Sequence, residues 1–320
     1  MRWISICLML IFSGLPLAAQ DQATVQRMTT AFEGWMQRNA ASEGALAIWY
    51  QGKPVATHAL GMDAETPMEM ASLSKAVTAI CVSELVQDGE LAYSDSFKDV
   101  IGRGPDVTLA QLVNHKSGLF PDQTQGVMSL WALSGKTDKS WAVLDIVMAR
   151  DQPTHNKGQF QYNNENYALV GFMIEAASGE DYETACQKRV FLPADVMAHS
   201  SPQTGAFLPW GGWQMSVDEY AKFLNHWFRS DSDMGKAPLS YPNIALGGGA
   251  YYGFGMFFRS FRDDFNFWHH GALCFPKGQS NGSYAVSLMG EWSAVTAYNI
   301  CPTIDGMAGL DAALSRAIFQ

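Results

Sequence analysis

The stretch Ser72–Asp88, SLSKAVTAICVSELVQD, is apolar at most positions, with Ala76, Val77, Ala79, Ile80, Cys81, Leu85 and Val86 leaving no continuous polar stripe. A helix apolar nearly all round belongs at the centre of its domain, because any exposed flank would show hydrocarbon to water. Gly89 supplies its stop. The same stretch opens on Ser72, Ser74 and Lys75. A lysine at the first turn of a central helix is costly unless its charge is used or neutralised. The spacing puts Lys75 one turn beyond Ser72 on the same face. Two readings compete there: a helix cap with a solvent-reaching lysine, or a serine nucleophile with its base.

Around this helix the chain is strand-rich at both ends and helical in the middle. Ala23–Arg38 has helical spacing, and Gly44–Gly61 reads as a hairpin turning at Gln51-Gly52-Lys53-Pro54. Helices are expected over Thr108–Val113, Trp141–Ala149, Tyr167–Ser178, Asp181–Val190 and Val217–Phe228. Strands follow over Tyr251–Arg259, Phe265–Leu273, Tyr284–Met289 and Ala294–Ile300, and Met307–Ile318 closes the chain as a helix. This order predicts an α/β (α+β) fold: a mostly antiparallel sheet built from both termini and flanked by helices, with a helical subdomain beside it. The α/β part takes in about 20–75 and 240–320, the helical part about 76–239. A site is expected in the cleft between them.

The N-terminus MRWISICLMLIFSGLPLAAQ has one arginine, an apolar run from Trp3 to Phe12 and small residues at Ala18 and Ala19. It reads as a signal peptide over residues 1–19, cleaved near Ala19 or Gln20, so residues 20–320 form an exported domain, periplasmic or secreted. No later segment is long and apolar enough for a membrane span in the mature chain. The formal charge of −10 argues against nucleic acid or an anionic membrane as partner. Cys7 leaves with the leader; Cys81, Cys186, Cys274 and Cys301 remain. Spacing alone assigns no pairing. Cys274 and Cys301 flank the C-terminal strand-turn-strand unit and are the favoured pair if one forms, while Cys81 reads as a buried thiol. No metal-ligand spacing is present, and in a strand His269 and His270 point to opposite faces. Neither metal nor cofactor is expected.

One Ser-x-x-Lys arises by chance about once in a chain of this length. Two further elements add weight. FQYNNENYALVGFMIE, Phe160–Glu175, carries Tyr162-x-Asn164 on a loop running into a helix; the second Tyr-x-Asn, Tyr241-Pro242-Asn243, has no helix behind it and reads as a turn. WHHGAL places His269-x-Gly271 at the end of an aromatic strand, with Ala272 next. A glycine there lets another backbone or a ligand come close.

Ser-x-x-Lys, Tyr-x-Asn and His-x-Gly in this order resemble the three motifs of class C β-lactamases, penicillin-binding DD-peptidases and β-lactamase-fold esterases. TPMEMASLSK, LVNHKSGL (Leu112–Leu119), GGWQMSVDEYAKFL (Gly211–Leu224) and YYGFGM (Tyr251–Met256) are similar to further segments of that family. The resemblance implies a β-lactamase/transpeptidase-like fold and an acyl-enzyme mechanism. Ser72 would be the nucleophile and Lys75 its base, with Tyr162 sharing that role as a partial phenolate. Asn164 would orient the substrate amide and the lysine. Ser72 and Ala272 N–H groups would form the oxyanion hole, with His269 and Gly271 on the substrate wall. The physical need is independent of the family, since an isolated serine hydroxyl is a poor nucleophile without an adjacent base.

The chain departs from the pattern at Lys157-Gly158, where relatives carry Pro-Gly, and at Leu273, Cys274 and Phe275, which bring no second glycine. His269 stands where true β-lactamases carry lysine, so it is expected to hold a carboxylate only when protonated. The partner implied is a small molecule or peptide: a β-lactam, a D-Ala-type peptide or an ester. A carboxylesterase is one alternative, and a penicillin- or peptidoglycan-peptide-binding protein without turnover is another. A structural envelope protein fits poorly with a lysine in so apolar a setting. His115 is expected to bond within its own loop.

Overall fold

The computed structural model describes residues 19–135, 142–149, 157–275 and 280–319; all of the expected leader except Ala19 lies outside the described residues. The main strands are β1 (Gly44–Tyr50), β2 (Lys53–Leu60), β6 (Ile244–Gly247), β7 (Ala250–Gly253), β8 (Met256–Phe261), β9 (Asp264–Cys274), β10 (Ser280–Leu288) and β11 (Trp292–Tyr298). Three short strands, β3 (Met68–Glu69), β4 (His199–Ser200) and β5 (Trp213–Met215), form a separate small sheet ordered β3-β5-β4. The eight-stranded sheet runs β2-β1-β11-β10-β9-β8-β7-β6, antiparallel throughout. The N-terminal hairpin enters it by pairing β1 with β11, from Gly44↔Tyr298 to Tyr50↔Trp292. Both chain ends therefore build one sheet, as the strand-rich ends imply.

Helices cover both faces. Ala19–Arg38 and Ile304–Phe319 pack together on one, where Met28, Phe32, Trp35, Leu310 and Leu314 meet Leu46, Ile48 and Tyr284. Val217–Phe228 lies against β1 and β11 on the other, capped by Ser216, whose hydroxyl accepts from Glu219 N–H. Beyond it the helix Ser74–Gln87 is central: eleven of its 14 residues are buried, and it packs against Asn164–Ser178 and Leu208–Gly211.

Two of the differences from the sequence reading bear on the site. Ser72 precedes the α-helix, in a 3₁₀ turn over Ala71–Leu73. Glu69 still pairs with β5, and Met70 N–H donates to Trp213 O at 2.9 Å, so the chain must turn from strand to helix within one residue. Ala71 makes that turn at φ +49°, a left-handed conformation that costs a non-glycine residue roughly 1–2 kcal/mol. Tyr251–Arg259 is a hairpin instead of one strand, turning through Phe254 and Gly255 with φ of 56° and 71°. A Cβ on Gly255 would lie 2.4 Å from the Lys75 carbonyl carbon and the Ala76 nitrogen, so this turn presses on the backbone of the central helix.

The glycine after His269 serves a second close approach. A Cβ on Gly271 would lie 2.2 Å from Ser283 Oγ and 2.6 Å from Met70 O. The close neighbour is therefore the backbone leading to Ser72, and Gly271 acts by packing where a substrate contact was expected. Ser283 Oγ donates to Met70 O at 2.7 Å, tying β10 to the same turn. Gly271→Ala is expected to cost about 1–3 kcal/mol through overpacking, which thermal unfolding will register as a lowered Tm. An unchanged Tm would mean that the turn moves aside freely.

Cys274 and Cys301 form a disulfide, and Cys81 and Cys186 are buried free thiols. The bridge closes a span of 27 residues, for which chain-entropy arguments give about 3–4 kcal/mol. Peptide mapping without reductant is expected to recover Cys274 linked to Cys301, and Cys301→Ser to lower the Tm. A Cys81–Cys186 peptide would contradict this pairing.

Candidate active site

Three elements bring the predicted residues together. The turn at Ala71–Leu73 presents Ser72, and the helix behind it presents Lys75. Lys75 is fully buried, and its Nζ lies 3.2 Å from Ser72 Oγ, 2.7 Å from Asn164 Oδ1 and 3.0 Å from Trp210 O. Three acceptors thus match the three donors of an ammonium. The Trp210 carbonyl was not anticipated, because a backbone acceptor leaves no trace in side-chain pattern. Burial nevertheless lowers the Lys75 pKa to about 7, with the Asp122 carboxylate opposing that fall.

The second element is the loop before the helix Asn164–Ser178. Asn163 caps that helix by accepting from Glu165 N–H at 2.7 Å, which puts Asn164 at its first position. Tyr162 lies one residue outside, 39% exposed, with its ring centre 4.9 Å from Lys75 Nζ. Its hydroxyl interacts with Ser72 and lies 3.5 Å from His269 Nε2. Burial of that hydroxyl pushes its pKa well up despite the Ser72 contact, and the Asp122 charge adds to the rise. The structure corrects the expectation of a phenolate: Tyr162 is a neutral phenol at physiological pH.

His115 also departs from expectation, for it bonds far outside its own loop. Its Nδ1 lies 3.1 Å from Asn163 N–H and from Asn166 Nδ2. A backbone N–H can only donate, so Nδ1 accepts and the proton sits on Nε2, 3.1 Å from the Tyr252 hydroxyl. Tyr252 in turn bonds the Tyr167 hydroxyl, which donates to Val113 O at 2.9 Å. Burial, then the nearby Lys75 and His269, hold the His115 pKa well below the ordinary value. The imidazole packs on the Tyr162 ring at 4.4 Å between centroids and fixes its angle.

The third element is β9. Its pairing with β8 ends at Phe257↔Trp268, whereas its pairing with β10 continues to Ser280↔Cys274. The His269–Cys274 edge therefore faces the cleft with no strand on that side among the described residues. Ala272 lies on this edge opposite Ser72, and both line a cavity of about 230 Å³. Gln125, Met128, Ser129, Asn164, Trp210, Leu273 and Phe275 complete most of its wall. His269 is 2% exposed, among Tyr162, Tyr252 and Phe257. Burial first, then Lys75 and His270, drive its pKa well below the usual histidine value. The expected titrating cation facing a substrate carboxylate is thus corrected to a neutral ring behind Tyr162. His270 points to the opposite face and stacks on Tyr284 at 4.2 Å. Asp122 and Gln125 also belong to the site, and only the Phe-Pro-Asp turn after LVNHKSGL hinted at them.

The Beta-lactamase family profile matches residues 28–285, and the chain belongs to that family. Penicillin-binding protein 4* of Bacillus subtilis (strain 168) is 31% identical over 163 residues, 49% of this chain and 36% of that one. The chain thus spans about a third of that relative's length. In fold it is similar to SurE with D-Leu (TM-score 0.71, 18% identity, covering 92% of this chain and 76% of that chain). It is also similar to a D-stereospecific amidohydrolase from Streptomyces sp. (TM-score 0.70, 17% identity, 93% and 98%).

A lysine can take a proton only when it is not already charged. With the Lys75 pKa at about 7, reaction of Ser72 with a fluorophosphonate is expected to speed up as pH rises through neutrality and then level off. The rate constant measured against pH locates this limb; a midpoint near 10, the ordinary lysine value, would deny the amine its role as base.

Proposed function

We propose that this chain hydrolyses an amide or ester through an acyl-enzyme on Ser72. The observation that carries this reading is the 3.2 Å contact between Ser72 Oγ and a buried Lys75 whose pKa has fallen to about 7. As a neutral amine, Lys75 donates to Asn164 Oδ1 and Trp210 O and turns its lone pair toward Ser72 Oγ. The hydroxyl proton moves to that amine as Oγ bonds the substrate carbonyl carbon. The oxyanion is received by the N–H groups of Ser72 and Ala272 on opposite walls. Collapse expels the leaving group, which takes the proton from Lys75 by way of the neutral Tyr162 hydroxyl. Water then attacks the ester, Lys75 takes its proton, and Ser72 leaves as a hydroxyl.

The cavity favours a substrate with a secondary amide beside the scissile carbonyl. Gln125 Nε2 donates to Asp122 at 3.2 Å, which leaves its Oε1 as an acceptor for a substrate N–H. Asn164 Oδ1 faces Lys75, and its Nδ2 has only the Met128 sulfur at 3.8 Å, so it is available to a substrate carbonyl. Met128, Trp210, Leu273 and Phe275 offer an apolar seat for one ring or a short aliphatic chain. The neutral His269 removes one reason to expect carboxylate recognition, which ranks amide and ester substrates above β-lactams. The D-Leu and D-stereospecific amidohydrolase neighbours fit a D-amino-acid amide. A binding protein without turnover would have no use for the base. We further infer that the chain is exported, on the leader at residues 1–19 and the Cys274–Cys301 bridge.

Intact-mass analysis after fluorophosphonate treatment is expected to show one adduct on the Ser72 peptide and none in Ser72→Ala. Turnover of nitrophenyl esters should fall about 1,000-fold or more in that variant. N-acyl amino-acid esters should outpace plain esters of equal size, and Gln125→Leu should reduce that ratio about tenfold. An adduct surviving in Ser72→Ala would move the nucleophile elsewhere; an adduct without turnover would favour the binding-protein reading.

A further inference from the structure

The Asp122 carboxylate acts on both ionisable partners of Ser72, favouring the charged form of Lys75 and disfavouring that of Tyr162. Four donors converge on it. Thr124 N–H at 3.0 Å and Thr124 Oγ1 at 2.7 Å meet Oδ1, while Asn164 N–H at 3.0 Å and Gln125 Nε2 at 3.2 Å meet Oδ2. This saturation holds the carboxylate in one place. With the Gln123 N–H that donates to Glu165 Oε2 at 3.1 Å, it joins two elements: the Pro121–Gln125 turn and the start of the helix Asn164–Ser178. The N-terminus of that helix favours a negative charge there.

We propose that Asp122 is a positioning residue for Ser72 acylation, one carboxylate that orients Asn164 toward Lys75 and Gln125 toward the substrate. It rests on the reading of Ser72 and Lys75 as nucleophile and base. Through Asn164 it fixes the Oδ1 that lies 2.7 Å from Lys75 Nζ. Through Gln125 it decides which end of that amide faces the cavity. Its charge also keeps part of the Lys75 population protonated near neutrality, ready to hand a proton to the leaving group. The other ionisable groups around Lys75 are Tyr162, Tyr167, His115 and His269, with ring contacts of 4.9 Å and 5.8 Å to the two tyrosines. Burial favours the neutral form of all four, while the Asp122 carboxylate favours the charged form of Lys75.

The test titrates Lys75 directly. In protein carrying ¹³Cε-lysine, in the Ser72→Ala background, the Lys75 resonance gives its pKa without any need for turnover. Asp122→Asn is expected to lower that pKa by roughly half a unit to one unit, because the ammonium loses its balancing charge. In the enzyme with Ser72 intact, the acid limb of fluorophosphonate labelling should move to lower pH by the same amount. The kcat for an N-acyl amino-acid ester should fall about tenfold or more as Asn164 and Gln125 lose their anchor. Asp122→Glu, which keeps the charge and displaces it, should retain the wild-type limb while kcat falls. Asp122→Ser keeps an oxygen for Asn164 N–H and makes the same measurement if the asparagine variant does not fold. A Lys75 pKa that stays at its wild-type value in the neutral variants overturns the proposal, even where activity drops, since a purely structural carboxylate lowers rates without moving the titration. Absence of any Ser72 adduct in the wild type refutes the acyl-enzyme reading instead, and the lysine titration still decides whether Asp122 governs Lys75.

Discussion

The structure depends on one lysine held in a place where lysines are expensive. Lys75 is fully buried on a helix that is itself central, and its Nζ reaches three acceptors from three separate segments. Ser72 comes from the strand-to-helix turn, Asn164 from the start of a second helix, and the Trp210 carbonyl from the short helix Leu208–Gly211. None of these segments touches the others in sequence. The ammonium is therefore a three-way joint, and any drift of one segment leaves a buried donor unsatisfied. Satisfaction is nonetheless incomplete in the electrostatic sense, because carbonyl oxygens offset desolvation only in part. That shortfall is what brings the pKa to about 7, so the fold's costliest residue and the site's base are the same group.

The surrounding fold can be understood as scaffolding for that joint. Glu69 accepts from Ser201 Oγ and, at 2.6 Å, from Thr204 Oγ1, anchoring the segment that leads to Trp210. Glu69 lies three residues before Ser72, so one buried carboxylate fixes the approach of the nucleophile and of the carbonyl facing its base. Thr78, one turn beyond Lys75, donates to Pro209 O at 2.5 Å and meets the Tyr182 hydroxyl at 2.6 Å. Gly255 and Gly271 allow one hairpin turn and one strand backbone to approach the same few residues from the sheet side. The strained φ at Ala71 is tolerated because these contacts leave the turn no other path.

Much of this was legible in the sequence, for reasons that differ between elements. The all-round apolar run of Ser72–Asp88 marked a central helix, and Val217–Phe228 coincided with its helix to the residue, since a Ser216 cap and a sharp period mark its start. Ser72, Lys75, Tyr162 and Asn164 were found through spacing and order, and the structure brings all four within one cleft. What stayed hidden was burial-dependent. The neutral states of Tyr162 and His269 follow from desolvation by residues distant in the chain, which no local motif encodes. The strands β3, β4 and β5 span two or three residues each, too few for an alternating pattern to show. The turn at Phe254-Gly255 was absorbed into an aromatic run whose β-propensity masked it.

His269 illustrates how the same motif can change its physical meaning. A residue at the open edge of β9 near Ser72 is well placed to meet substrate, and its neighbour Ala272 does line the cavity. Yet the ring lies behind Tyr162, packed among Tyr252 and Phe257. Protonating it there would set a second cation beside Lys75 in a low-dielectric pocket, and the two charges would destabilise each other. A neutral imidazole avoids that conflict and still offers a nitrogen 3.5 Å from the Tyr162 hydroxyl. His115 supports the same phenol from the ring face, and it too is held neutral, with Lys75 and His269 contributing. Two histidines and Tyr252 thus surround Tyr162 without adding charge, which keeps Lys75 as the group whose protonation state changes near neutral pH. A site arranged this way titrates through a single amine, and its selectivity must come from hydrogen-bond geometry at Asn164 and Gln125 and from the shape of the apolar wall.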